Sequence, residues 1–105
     1  MNRLLILIPL AALALLASGS ASANAELAKA KNCVACHAVD RTLVGPSYKD
    51  IAAKYAANKD AEAYLVKKIR EGGTGVWFKD RVMPSMTNVT ADEAKVLAKW
   101  ILLQK

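Results

Sequence analysis

Cys33, Cys36 and His37 stand together as a C-x-x-C-H run, and they are all the cysteine and histidine that the 105 residues contain. Two thiols three positions apart share one face of a helical turn, so both can reach the two vinyl groups on one edge of a porphyrin and form thioethers. The imidazole that follows is then held beneath the ring, where it can coordinate the iron. The run is the attachment signature of a c-type haem. Other chemistries of these residue types fit less well. A disulfide across two residues closes too short a loop to staple a domain. A thioredoxin-like redox pair needs a βαβ setting, and a structural zinc site takes four ligands where two cysteines and one histidine are on offer.

An electron-transfer iron needs a second axial ligand from the protein. A bis-histidine iron is excluded because His37 is the sole histidine. Thioether sulfur is the next candidate, and Met/His coordination raises the reduction potential. Met1 leaves with the N-terminal segment described below, so Met83 and Met86 are the two candidates. Both fall in a stretch without helical periodicity, where a loop can carry a sulfur to an iron.

Four helices are expected to position these groups. The alanine-rich segment from Glu26 to Asn32 runs into the cysteine motif. Pro46 and Ser47, with Asp50 three residues on, mark a second start, and Tyr48, Ile51, Ala52 and Tyr55 then recur on one face. A third helix from Asp60 to Glu71 buries Ala61, Leu65 and Ile69 and stops at Gly72-Gly73. Thr90 and Glu93 form a capping box for the last helix, with Ala94, Leu97 and Ile101 at helical spacing. The irregular stretches Ala38 to Gly45 and Gly72 to Val89 lie between, and no window alternates as a strand does. The fold class is all-α.

Met1 to Ala25 has the order of a secretory signal peptide: Arg3, an apolar run from Leu4 to Ala17, and a small-residue end at Ala23-Asn24-Ala25. Cleavage before Glu26 leaves a single domain, 26–105, outside the inner membrane and without a membrane-spanning element. Eighty residues exclude a multidomain enzyme. Of their 40 apolar residues 13 are alanine, so the core needs a staple, and a haem supplies it. The net charge of that part is +5. Its lysines are scattered, which argues against nucleic acid and suits steering toward acidic protein partners.

In its landmarks the chain resembles the short bacterial class I cytochromes c of the c-551/c-552 kind. The matching residues are Cys33 to His37, Val44-Gly45-Pro46, Gly75-Val76-Trp77, Met83-Pro84 and Ala98-Lys99-Trp100-Ile101-Leu102. The resemblance implies a small fold of about four helices wrapped around one covalently bound haem, and a periplasmic one-electron carrier, not an enzyme. Such carriers shuttle between respiratory complexes, typically toward a nitrite reductase or terminal oxidase. It implies His37 as proximal ligand, with the Pro46 carbonyl accepting its ring N–H, and Met83 as distal ligand. Trp77 and Lys68 resemble residues that hold a haem propionate, and Asn88 the asparagine that contacts the methionine sulfur. Partners would dock weakly at the exposed haem edge flanked by Val34, Ala35, Leu43, Val44 and Pro84, and the carrier would be a monomer. The chain departs from the family between Trp77 and Met86: one extra residue precedes the methionine, two prolines are missing, and Met86 is a rival ligand. That departure leaves open a haem enzyme or gas sensor with an open distal site. A thiol–disulfide oxidoreductase is a third, weaker alternative.

Overall fold

The computed structural model describes residues 24–105, and the expected targeting segment lies outside them except for its last two residues. Helix α1 covers 24–30. Asn32 then turns left-handed (φ 64°), a conformation that asparagine tolerates better than most residues, and a 3-10 turn over Cys33–Ala35 follows. Helices α2 (Tyr48–Tyr55), α3 (Ala61–Glu71) and α4 (Ala91–Leu102) complete the helical set. None of the described helices is long and apolar enough to cross a membrane.

Each helix starts and stops for a local reason. Ser47 caps α2, its hydroxyl accepting the Asp50 N–H at 3.0 Å. Asp60 stands at the start of α3 without a side-chain cap, and α3 ends at Gly72. The expected capping box on α4 is present: Thr90 Oγ1 accepts from the Glu93 N–H at 3.1 Å, and Glu93 Oε1 accepts from the Thr90 N–H at 3.0 Å. That second bond, with Lys31 adding to it, holds the Glu93 carboxyl below its ordinary range. A lowered folded-state pKa stabilises above the unfolded value and is lost as pH falls through the folded one. Thr90→Ala is expected to lower the unfolding free energy by about 1 kcal/mol, measured by chemical denaturation.

Helix α4 packs against both α2 and α3. The buried faces are those expected from periodicity: Tyr48, Ile51 and Ala52 on α2, Ala61, Leu65 and Ile69 on α3, and Ala94, Leu97 and Ile101 on α4, joined by Ala98. Ala28 of α1 joins this core, and Lys31 ties the end of α1 to the start of α4 through the Asn88 carbonyl (2.8 Å) and Glu93 (3.3 Å). The core is thin. Among the described residues, five of the twelve buried apolar ones are alanine, and Leu97 is the one large side chain that is wholly buried.

One expectation needs correcting. The second irregular stretch contains a two-stranded antiparallel clip, β1 (Gly73–Thr74) and β2 (Val82–Met83), pairing Gly73 with Met83 and Thr74 with Val82. Backbone groups alone make a ladder of two residues, so side-chain alternation carries no signal of it.

Candidate functional site

The cysteine motif lies on the 3-10 turn, whose backbone closes through Cys36 N–H to Cys33 O (3.2 Å) and His37 N–H to Cys33 O (2.9 Å). A turn this tight brings residues three apart to one side, and Cys33 and Cys36 line the same cavity. Both sulfurs are half-buried on its wall. Burial pushes the Cys33 thiol up, and Cys36 adds to the effect.

His37 is held from several sides. Its Nδ1–H donates to the Pro46 carbonyl at 2.8 Å, which fixes the tautomer and leaves the Nε2 lone pair available to a metal. The Tyr48 ring stacks on it, with centroids 5.6 Å apart and planes inclined by 23°. Gly45 closes against the imidazole: a Cβ there would strike His37 Cε1 and lie 2.9 Å from Nδ1. The Gly45 N–H in turn donates to Cys36 O at 2.8 Å, so the loop is hooked onto the motif that it supports. Gly45→Ala is expected to force the ring off its carbonyl and lower the unfolding free energy by about 1–3 kcal/mol, read from denaturant midpoints.

Both candidate methionines line the same cavity as the thiols, but they are held differently. Met83 is in β2, paired to Gly73. Gly72 (φ 69°) ends α3 in a conformation suited to glycine, and a side chain there would run into the Met83 carbonyl. The backbone of Met83 is thereby clamped to the end of α3. Met86 donates its N–H to the Arg70 carbonyl at 3.2 Å, and its side chain packs on the hydrophobic core and faces a separate groove along α3.

The rest of the wall is largely apolar and aromatic, with Tyr55, Tyr64, Trp77 and Trp100 among its residues. Tyr55 and Tyr64 lie 5.2 Å apart, and burial, with Tyr64 close by, pushes the Tyr55 phenol up to about 12. Lys54 sits over Trp77 at 4.5 Å, and Lys68 lies 5.7 Å from the Tyr64 ring centroid. The Tyr48 hydroxyl is buried on this wall with no hydrogen-bond partner among the described residues, and burial pushes its pKa far up. A buried phenol without a partner is costly unless a bound group supplies one.

The structure thus brings together Cys33, Cys36, His37, Pro46, Lys68, Trp77 and Met83 on one cavity. It does not bring Asn88, which is exposed and is not part of the wall; its carbonyl accepts from Lys31. Three residues without an assigned role in the sequence reading join the site: Gly45, the Tyr48 ring and Arg81, which donates to the Leu43 and Val44 carbonyls. The Val44-Gly45-Pro46 run, next to a sole histidine, was the available signal for Gly45. This donor set fits a large flat ring: two thiols on one face of a turn, an oriented imidazole, a sulfur on a clamped strand, apolar walls, and a phenol without a partner.

Known proteins match the chain closely. The family model described as Cytochrome c covers residues 21–105. Cytochrome c-552 of Nitrosomonas europaea is 54% identical over 95 residues, covering 90% of this chain and 91% of the relative. Cytochrome c-551 of Pseudomonas aeruginosa is 47% identical over 104 residues, covering 92% and 98%. The crystal structure of wild-type Nitrosomonas europaea cytochrome c552 aligns with a TM-score of 0.74 at 53% identity, over 77% of this chain and 99% of that one. The class 1 cytochrome MtoD of Sideroxydans lithotrophicus gives a TM-score of 0.67 at 33% identity, over 77% and 91%.

Proposed function

From the premise that the chain belongs to the cytochrome c family and carries haem c on Cys33 and Cys36, we propose a periplasmic one-electron carrier with His37 and Met83 as axial ligands. Its class I cytochrome c fold and its standing as a c-type electron carrier are common ground with its relatives; the ligands, compartment and partners are the proposal. The observation that carries it is the pairing of an oriented His37, bonded through Nδ1 to Pro46, with a strand-clamped Met83 on the same cavity as the two thiols.

Haem c supplies a one-electron couple at its iron. The polypeptide does the rest. His37 presents Nε2, and the Pro46 carbonyl raises its basicity. Met83 presents a neutral sulfur, and the apolar wall keeps water out; both disfavour the extra positive charge of the oxidised state and raise the potential. His37 and Met83 would hold the group from its two sides and leave no position for substrate, as suits a carrier rather than an enzyme. Lys68, Trp77 and the Tyr48 hydroxyl line the cavity and would offer donors to the ring's carboxylates. Outside, Val34, Val44 and Val82 expose apolar surface near the motif and the clip, a small face suited to weak, quick redox encounters of a monomer. Surrounding lysines would steer it to acidic respiratory partners, an effect that fades with salt.

Visible spectra of the exported protein in both redox states test the ligation. The expected result is a red-edge sulfur-to-iron band in the ferric form and no ready carbon monoxide binding at neutral pH. Ready carbon monoxide binding would establish the open distal site instead. A mature mass beginning at Glu26 tests the expected cleavage.

A further inference from the structure

We infer that Arg81 is a positioning residue: its guanidinium latches the strand that carries Met83 to the loop that orients His37, and so sets how readily the methionine leaves the iron. The inference rests on Met83 being the distal ligand. Arg81 Nη1 donates to the Leu43 carbonyl at 3.1 Å and to the Val44 carbonyl at 2.9 Å. Its guanidinium stands 4.1 Å from the centroid of the Phe78 ring, which braces the plane, and β2 begins at the next residue. On the other side, the Leu43 N–H donates to Gly45 O at 3.1 Å, Gly45 is hooked to Cys36, and Pro46 holds His37. Among the described residues, these two bonds are the hydrogen bonds that join the loop before Pro46 to the segment before Met83.

Arginine suits the task. Its fork stays charged at every accessible pH, reaches both carbonyls from one nitrogen and stacks on an aromatic face, whereas lysine offers a point charge on a flexible stem. Carrying Met83 away from the iron would pull on both bonds. The segment from Phe78 to Val82 contains no proline, and the first one follows only after Met83, so a side-chain latch takes the place of covalent stiffness there.

Imidazole titration of the ferric holoprotein, followed through the sulfur-to-iron band, tests the latch. Arg81→Met is expected to raise imidazole affinity about tenfold, the net worth of a hydrogen bond from a charged donor. Arg81→Lys should fall between that variant and the wild type. Lys79→Met removes an exposed charge from the same segment and should leave the affinity unchanged. Far-UV denaturation of each variant separates ligand release from general unfolding, since Arg81 is exposed and outside the core. Wild-type affinity in Arg81→Met would overturn the latch, and an equal rise in Lys79→Met would assign the effect to charge and overturn it too. Absence of the band in the wild type would instead overturn the methionine ligation, and the latch with it.

Discussion

Replacing Met83 by alanine is expected to abolish the sulfur-to-iron band and to lower the reduction potential by on the order of 0.2 V, a fraction of the roughly 0.8 V over which axial ligands tune haem. The vacated position should then bind carbon monoxide in the ferrous state. Met86→Ala should keep the band and lose only packing, at a cost near the lower end of the roughly 2–5 kcal/mol seen for buried Met→Ala changes. The asymmetry follows from how each residue is held. Met83 is paired to Gly73 and clamped at its carbonyl by Gly72, while Met86 fills space beside α3 and against the core. Paired spectra and potentiometry of the two variants check this. Retention of the band in Met83→Ala with its loss in Met86→Ala would reverse the assignment.

The double variant Cys33→Ser, Cys36→Ser is expected to emerge with no covalent haem and with most of its helical structure lost at 37 °C. Mature mass and a pyridine haemochrome assay read the first effect, and far-UV circular dichroism the second. Among the described residues five of the twelve buried apolar ones are alanine, too little for a domain this size to stand on its own surface burial. A group that binds only the folded chain stabilises it by mass action, and covalent tethering makes that binding effectively intramolecular. Each single variant should retain one thioether and an intermediate stability. A double variant with wild-type helicity and midpoint would mean that the protein core suffices alone.

Much of this molecule was legible in one dimension because its signals are local. A helical period of 3.6 exposed the buried faces around Leu65, Ile69, Leu97 and Ile101, and Ser47 and Thr90 cap where their neighbours required. The C-x-x-C-H spacing carries its own chemistry, since a single tight turn brings both thiols to one face.

Other features depend on approach between segments far apart in the chain, and no local pattern encodes approach. The β1–β2 clip is too short to alternate. Gly45 matters because of a ring eight residues upstream, and Arg81 because of carbonyls 37 and 38 residues away. Asn88, assigned its role by family likeness, stands exposed, and its carbonyl accepts from Lys31, 57 residues away. Local order along the chain sufficed for the helices, the caps of α2 and α4 and the attachment chemistry. Only the folded chain decided which methionine backbone is clamped and what steadies the histidine, because close contacts between distant segments exist only once the helices have packed.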